Sequence, residues 1–226
     1  MKTQDCVYLA LDHMTFAAAT QITSRLCDRI AGVKIHDFYD RYTGKIITVL
    51  KEMGARTVWV DAKLHDIPET VRTRVAALAE HGADIVSVHA SGGVEMMQAA
   101  KDSATAIYAV SVLTSLTPEQ CLKIYGSPPQ EAVTRFAVMA QEAQVDGIVC
   151  SPQEVAYLSW YNADIVVPGT RSPGVAAHDQ KRVDTPANAL RSGATKLIIG
   201  RQITQAANPL TAIDALEHEL AEAMAV

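Results

Sequence analysis

The chain has 226 residues, which is enough for one large domain or two small ones. Of these residues, 49% are hydrophobic, 20% charged and 5% aromatic, a composition typical of globular proteins. Its formal net charge of −5 at pH 7 gives no electrostatic reason to expect a nucleic-acid partner. The apolar run at residues 6–11 is too short for a signal peptide, and no stretch approaches a membrane span, so we expect no membrane partner.

Four cysteines are spread along the chain without C-x-x-C spacing: Cys6, Cys27, Cys121 and Cys150. This is far below the cysteine density of a disulfide-stabilised secreted domain. We therefore expect the cysteines to be reduced and mostly buried, and the protein to be cytoplasmic.

Short apolar runs typical of strands alternate with helical patterns along the whole chain. In order, the pattern predicts strand 6–11, helix 16–30, strand 32–35, helix 38–52, strand 57–62, helix 68–81, strand 85–89, a helix reaching about 101, strand 106–112, helix 130–143, strand 147–150, a short helix from 152, strand 164–167, helix 185–192, strand 196–199 and helix 202–225. Pro68 suits the first turn of the helix predicted over 68–81, and Gly82 suits the position just after its end.

Eight strands, each followed by a helix, predict one fold. The strands are short and rich in Val, Ile and Ala, as a parallel sheet covered on both faces requires. The chain is therefore assigned to the α/β class, as a closed (β/α)₈ TIM barrel forming a single domain over residues 1–226. A doubly wound open sheet is the competing architecture, but it usually has fewer strands, and no G-x-G-x-x-G follows the first strand.

The third strand ends in an acid and a base two residues apart, Asp61 and Lys63. Because successive strand side chains alternate between faces, these two should point the same way and hold each other charged. Asp66 follows after the predicted end of the strand. A bare D-x-K is often only a surface salt bridge, whereas the longer pattern D-x-K-x-x-D-I-P-x-T, from Asp61 to Thr70, indicates a functional site.

In a (β/α)₈ barrel the active site lies at the carboxyl ends of the strands. The polar residues expected at those ends are Asp12, Lys34, Asp61, Lys63, His89, Thr114 and Arg201. Lys34 lies in an apolar central strand, where an unpaired ammonium group would be costly. We expect an alternating chain of charges, Lys34–Asp61–Lys63–Asp66. The alternative is a structural set of ion pairs that closes one end of the barrel.

Two stretches indicate a site for an anion. A glycine-rich loop that includes Pro168 and Arg171 follows strand seven, with Gln180 further along, and Gly200-Arg201 follows strand eight. Loops after strands seven and eight of such barrels commonly bind phosphate through backbone N–H groups. Arginine adds a planar fork that matches phosphate oxygens.

Other polar or aromatic side chains lack a pattern that indicates chemistry. We interpret the following as packing or surface residues: His36, His81, His218, Trp59 and Trp160. Ser111 and Ser151 have no adjacent His/Asp arrangement that would make them nucleophiles.

The stretch from Asp61 to Thr70 resembles the signature of the orotidine 5′-monophosphate decarboxylase family, especially its bacterial branch. Further stretches resemble that family in the expected order: Leu9-Ala10-Leu11-Asp12, Gly32-Val33-Lys34, Val88-His89-Ala90, Val112-Leu113-Thr114-Ser115, Pro168-Gly169-Thr170-Arg171, Asp179-Gln180-Lys181-Arg182-Val183 and Gly200-Arg201. There are two departures: Ser172 stands where many relatives have proline, and Glu69 where asparagine is common. Neither removes a functional group on which the interpretation depends.

The resemblance implies decarboxylation of orotidine 5′-monophosphate to uridine 5′-monophosphate and CO₂, the last step of de novo synthesis of that nucleotide, without a metal or other cofactor. Lys63 would donate a proton to the C6 carbanion, and the implied catalytic set is Lys63, Asp61, Asp66 and Lys34. The implied substrate-binding residues are Asp12, Lys34 and Thr70 for the ribose, Thr114 and Ser115 for the pyrimidine, Arg171, Gln180, Gly200 and Arg201 for the phosphate, and in addition Ile67 and Pro168.

The resemblance also implies a homodimer whose active sites are shared across a two-fold interface. Asp66, Ile67 and Thr70 would reach into the site of the neighbouring subunit. This agrees with the position of Asp66 on a loop beyond the strand that carries Asp61 and Lys63.

Two other interpretations compete with this one. A Mg²⁺-dependent sugar-phosphate decarboxylase or aldolase, such as 3-keto-L-gulonate 6-phosphate decarboxylase, shares the D-x-K-x-x-D core. That group places a glutamate ligand at the end of the second strand, where this chain has Lys34, which would repel a metal. The other is a catalytically silent binder of a phosphorylated ligand, against which the intact charged set argues.

Overall fold

Eight parallel strands pair in chain order and close into a barrel, as the sequence predicts. The computed structural model describes residues 2–103, 105–173 and 184–224. The strands are β1 (Val7–Ala10), β2 (Gly32–Ile35), β3 (Val58–Leu64), β4 (Ile85–His89), β5 (Ala106–Val110), β6 (Gly147–Val149), β7 (Asp164–Pro168) and β8 (Lys196–Ile199). The barrel closes where β1 pairs with β8, with Leu9 opposite Ile199.

Helices connect successive strands and cover the outside of the barrel. They are α1 (Thr3–Cys6), α2 (Phe16–Leu26), α3 (Asp37–Tyr42), α4 (Lys45–Glu52), α5 (Pro68–Glu80), α6 (Val94–Lys101), α7 (Pro118–Tyr125), α8 (Pro129–Glu142), α9 (Pro186–Arg191), α10 (Arg201–Thr204) and α11 (Pro209–Met224). Short 3₁₀ helices, Ala90–Gly92 and Val155–Leu158, follow β4 and β6. Within the described parts of the chain, no helix combines the length and apolarity needed to cross a bilayer.

Two groups of apolar side chains hold the barrel together. The larger group packs strand residues such as Val33 and Val60 against the surrounding helices, and the smaller group fills the barrel interior. Trp59 is central to the interior group, because its ring packs edge-on against Tyr8 and Tyr108 with centroid distances of 5.7 and 5.1 Å. The prediction that Trp59 is a packing residue is confirmed.

The predicted bounds match the structure at β2, β4 and β8, and the other strands differ by one or two residues at an end. Larger differences concern the helices. The predicted helix 38–52 is two helices, α3 and α4, because Thr43 between them has a φ of 52° that a continuous helix cannot contain. The predicted helix 202–225 is likewise divided into α10 and α11, with Pro209 at the start of the second.

Helix α7 was not predicted from the sequence, although both of its ends carry local signals. The Thr117 hydroxyl accepts the N–H of Gln120 at 3.3 Å, and the Gln120 side chain accepts the N–H of Thr117 at 2.9 Å, which is a capping box. Gly126 ends the helix with a φ of 71°. With only eight residues, α7 is too short for apolar periodicity to reveal it, so its caps were the usable signal.

Candidate active site

A cavity of about 470 Å³ opens at the carboxyl ends of the barrel strands. The residues proposed from the sequence that line it are Asp12, Lys34, Asp61, Lys63, Thr114, Pro168, Arg171, Gly200 and Arg201. Apolar side chains of the barrel interior, including Trp59 and Ile198, also line the cavity. The cavity therefore has charged walls above an apolar base.

A chain of ion pairs runs along one wall of this cavity. The Lys34 Nζ lies 3.2 Å from Asp12 Oδ2 and 3.1 Å from Asp61 Oδ2. The Lys63 Nζ lies 2.5 Å from the same Asp61 oxygen. The two inner groups of these ion pairs are buried, with side-chain exposures of 6% at Lys34 and 8% at Asp61, whereas Asp12 and Lys63 at the two ends are 34% and 32% exposed. Of the two lysines in this series of ion pairs, Lys63 is therefore the one better placed to meet a ligand.

Burial and charge act in opposite directions on the two innermost groups. Burial disfavours the ammonium form of Lys34, but the carboxylates of Asp61 and Asp12 outweigh it, and its pKa lies above the ordinary value. Burial would likewise raise the pKa of Asp61, but Lys34, Lys63 and a hydrogen bond from Ser87 hold it well below the ordinary value. Both groups are therefore charged at neutral pH.

The end of β3 is irregular where it carries Asp61 and Lys63. Pairing with β4 is broken between Val60 and Leu64 by a bulge. Lys63 has a φ of 46°, in the left-handed region that residues other than glycine seldom adopt. The two side chains meet as expected from the sequence, but simple alternation of strand faces is not the reason.

Ser87 also belongs to this wall, although the sequence did not indicate it. Its hydroxyl donates a hydrogen bond to Asp61 Oδ1 at 2.6 Å and accepts the backbone N–H of Lys63 at 3.2 Å. The residue is fully buried. A polar residue in the otherwise apolar stretch Ile85–Val88 was the signal that could have identified it.

Within one subunit, the expected chain Lys34–Asp61–Lys63–Asp66 is observed only as far as Lys63. Among the described residues, no ion pair joins Asp66 to Lys63, and the Asp66 carboxylate instead accepts the N–H of Ile67 at 2.7 Å. The reason is that Asp66 lies beyond the end of β3, on the exposed loop before α5. The fourth charged group is Asp12, which follows β1 and pairs with Lys34.

Three other residues proposed from the sequence also lie outside the cavity as the described part of this one chain forms it: Ile67, Thr70 and Ser115. Ile67 is 66% exposed, Thr70 lies in the first turn of α5, and Ser115 is exposed on the loop after β5. Gln180 lies outside the described residues.

The loops after β7 and β8 meet at the opposite side of the cavity from β3. Arg171 and Arg201 both line the cavity here, together with Gly200. The backbone N–H of Ser172 donates to Gln202 Oε1 at 3.1 Å, and the Gln202 amide donates back to the Ser172 hydroxyl. This pair of hydrogen bonds joins the loop that carries Arg171 to the helix that begins at Arg201.

Two histidines lie near the charged wall. His89, expected there from the sequence, is not among the described residues that line the cavity, whereas His36 is. His36, interpreted above as a packing or surface residue, lines the cavity, and its Nδ1 is 2.7 Å from the backbone oxygen of Asp61. His89 faces His65, with ring centroids 5.7 Å apart. Burial, followed by the nearby His65 and Lys63, lowers the pKa of His89.

No group of three or more His, Cys, Asp or Glu side chains within residues 2–103, 105–173 and 184–224 has an arrangement that could hold a metal ion. The Lys34 ammonium group lies between the carboxylates of Asp12 and Asp61, at 3.2 and 3.1 Å.

Comparison with known proteins identifies relatives over nearly the whole chain. Residues 6–216 match the family model described as "Orotidine 5'-phosphate decarboxylase / HUMPS family". The chain is 38% identical to the orotidine 5'-phosphate decarboxylase of Pseudomonas paraeruginosa, over 96% of this chain and 98% of the relative. It is 42% identical to that of Streptococcus pneumoniae, over 77% and 78% respectively.

A solved structure has the same architecture. The crystal structure of orotidine 5'-phosphate decarboxylase from Lactobacillus acidophilus superposes with a TM-score of 0.80 at 31% identity, covering 96% of this chain and 99% of that one. The similarity therefore extends to the arrangement of strands and helices around the cavity.

Proposed function

This chain belongs to the orotidine 5'-phosphate decarboxylase / HUMPS family, and from that premise we propose that it converts orotidine 5′-monophosphate to uridine 5′-monophosphate and CO₂. The reaction would be the last step of de novo synthesis of that nucleotide and would use no metal or other cofactor. The observation that carries the proposal is the position of Lys63, whose ammonium group is held 2.5 Å from Asp61 at the wall of the cavity.

The chemistry needs a cation at one defined point. The bond between C6 of the pyrimidine and its carboxylate carbon breaks, CO₂ leaves, and the electron pair remains on C6 in the plane of the ring. No conjugated system accepts this charge, so the protein must stabilise it electrostatically and then supply a proton. The Lys63 ammonium can do both, since it places positive charge beside C6 and donates the proton that completes the product.

Asp61 and Lys34 would support this step. Asp61 holds the Lys63 ammonium in place, and Lys34 offsets the repulsion that the Asp61 carboxylate would exert on a bound anionic substrate. One charge pair about 4 Å apart contributes roughly 4 kcal/mol at an effective dielectric constant of about 20. Enzymes lower barriers by about 8–23 kcal/mol, so contacts with the rest of the substrate must supply a large share.

The remaining cavity residues have roles in binding under this proposal. Asp12 and Lys34 would contact the ribose, and Thr114 the pyrimidine. Ser115 follows Thr114 on the loop after β5 but lies outside the cavity, so its contact with the pyrimidine stays a prediction. Arg171, Gly200 and Arg201 would bind the phosphate, with Pro168 beside them and Gln180 completing the group. The two arginines and Gly200 lie together on the cavity wall, which supports this assignment.

We further propose that the enzyme is a cytoplasmic homodimer in which Asp66, Ile67 and Thr70 complete the site of the partner subunit. The exposure of Ile67 and the position of Asp66 outside the cavity of its own chain support this proposal. Metal independence stays a prediction, supported by Lys34, which places a fixed positive charge between Asp12 and Asp61 where a cation would otherwise bind.

A spectrophotometric assay tests the proposal. The purified protein is incubated with orotidine 5′-monophosphate and EDTA, and the loss of substrate absorbance is followed, with a mock purification from the same host as control. We expect turnover that EDTA does not reduce. Activity that EDTA abolishes and Mg²⁺ restores would contradict metal independence. If this nucleotide is not turned over under either condition, decarboxylation of 3-keto-L-gulonate 6-phosphate with Mg²⁺ would favour the sugar-phosphate group of enzymes, and absence of that activity too would favour a silent binder.

A further inference from the structure

Ser87 faces the irregular part of β3 by itself. The register pairs Val60 with Val86 and Leu64 with Val88. Between these pairs β3 has three residues, Asp61 to Lys63, whereas β4 has only Ser87. The backbone N–H and C=O of one residue cannot form the ladder hydrogen bonds of three residues. The Ser87 hydroxyl therefore supplies one of the missing acceptors.

One hydroxyl makes two different hydrogen bonds at this point. As a donor, the Ser87 Oγ binds Asp61 Oδ1 at 2.6 Å, and as an acceptor it binds the N–H of Lys63 at 3.2 Å. The other carboxylate oxygen of Asp61, Oδ2, already contacts both lysine ammonium groups. The Ser87 hydroxyl thus sets the rotation of the Asp61 carboxylate, because it occupies the oxygen that the lysines leave free.

The second hydrogen bond acts on the backbone of Lys63. A φ of 46° is an unfavourable conformation for a lysine, and such a conformation persists only where surrounding contacts hold it. The contact from Ser87 is one of these, and the serine that accepts this hydrogen bond is itself buried. Without it, the backbone that directs the Lys63 side chain into the cavity would lose a specific restraint.

We propose that Ser87 is a positioning residue that aligns the Asp61 carboxylate and the Lys63 backbone with a single hydroxyl, so that the Lys63 ammonium is held in one place. This inference rests on the proposed function, in which Lys63 is the proton donor. Ser87 acts through Asp61 and Lys63 and does not line the cavity among the described residues.

The chain offers a matched control in Ser111. It is also a fully buried serine, and its hydroxyl donates to the backbone oxygen of Val149 at 2.7 Å. Ser111→Ala therefore removes a buried hydroxyl and its hydrogen bond from the same barrel, without touching the ion pairs of the cavity wall.

The experiment compares Ser87→Ala, Ser87→Thr and Ser111→Ala with the unmodified protein. For Ser87→Ala we expect kcat for orotidine 5′-monophosphate to fall about 10- to 100-fold. The Kd for uridine 5′-monophosphate should stay within about threefold of that of the unmodified protein, because the lost contact positions the proton donor and not the ligand. Ser87→Thr keeps the hydroxyl and should recover kcat to within about fivefold, and Ser111→Ala should change kcat by less than about twofold.

A readout independent of catalysis is hydrogen exchange of the Lys63 amide, followed by NMR. We expect exchange about tenfold faster or more in Ser87→Ala, and unchanged in Ser111→Ala and Ser87→Thr, since only Ser87→Ala removes the acceptor. An unchanged Lys63 amide in Ser87→Ala overturns the inference, whatever the substrate. A loss of kcat no larger than that of Ser111→Ala also overturns it. If the unmodified protein does not decarboxylate the substrate, the proposed function fails separately, and the exchange measurement still decides whether Ser87 holds Lys63.

Discussion

At the scale of single residues, the site depends on a charged group that is both fixed and accessible. Lys34 and Asp61 are almost completely buried, and each offsets part of the cost of burying the other's charge. Lys63 contacts the same carboxylate but retains 32% of its side-chain exposure. The burial of the first two residues therefore provides a rigid support for the third.

Lys63→Ala should reduce kcat on the order of 10³-fold or more while uridine 5′-monophosphate still binds measurably, because the variant loses the proton donor and keeps the phosphate contacts. The measurements are steady-state turnover and product binding by calorimetry. Lys123→Ala is the matched control, since Lys123 forms an exposed ion pair with Glu119 on α7. Activity of Lys63→Ala within tenfold of the unmodified protein would exclude Lys63 as the proton donor.

His89 should make the stability of the protein depend on pH. Its pKa in the folded protein is lowered by burial and by the nearby His65 and Lys63, so the unfolded chain takes up a proton first as the pH falls below about 6.5. The free energy of unfolding should therefore be highest above that pH and decrease as the pH falls toward 5.

His89→Gln removes this contribution, so its stability should decrease less between about pH 7.5 and about pH 5 than that of the unmodified protein. Urea unfolding at both pH values, followed by circular dichroism, measures the difference. Equal losses of stability in the two proteins would show that His89 does not couple folding to pH.

At the scale of elements, two connections define the side of the cavity that faces the proposed phosphate. The loop after β7 carries Arg171, and α10 begins with Arg201 directly after β8. Ser172 and Gln202 join these two segments by reciprocal hydrogen bonds. Proline at position 172 would have neither the N–H nor the hydroxyl that this connection uses, so the departure from the family pattern at Ser172 has a structural consequence.

Arg201→Ala should lower kcat/KM for orotidine 5′-monophosphate by about 100-fold or more, yet change that for the unphosphorylated nucleoside by less than about threefold. Binding energy from the remote phosphate contributes to the transition state only when the phosphate is present. Arg135→Ala on α8, where the arginine is exposed and bonds to the Tyr125 backbone oxygen, serves as control. Equal losses with both substrates would assign Arg201 a structural role.

At the scale of the whole molecule, the cavity of a single chain lacks part of the set proposed from the sequence. Asp66 and Ile67 extend away from it on the loop between β3 and α5. An isoleucine that is 66% exposed beside such a loop is consistent with a surface that a second subunit covers. A two-fold dimer would bring each loop to the cavity of its partner.

Mixing Lys63→Ala with Asp66→Ala tests this arrangement. Each variant alone should be nearly inactive. Random exchange makes half of the dimers mixed, and each mixed dimer contains one site with both native residues, so activity should recover to about a quarter of the unmodified level. The measurements are activity after exchange and native mass spectrometry to verify mixed dimers. Mixed dimers that form without any recovery would mean that each chain has a self-contained site.

The sequence by itself determined the barrel and most of the cavity wall, because these depend on local patterns. Eight apolar runs separated by helical stretches specify eight strands, and the polar residues that end those runs, such as Lys34, Lys63 and Arg201, come together at one rim of any such barrel. The boundaries of the short helix α7 were equally local and could have been identified from its caps.

Only the tertiary structure decided which groups touch. Asp12 and Lys34 are 22 positions apart and Ser87 and Asp61 are 26 apart, so no local pattern could pair them. The bulge at the end of β3 also arises from its register with β4, and it gives Lys63 a backbone conformation that its own sequence does not favour. Contacts between strands distant in sequence follow from barrel closure, and they add Asp12 and Ser87 to the charged wall.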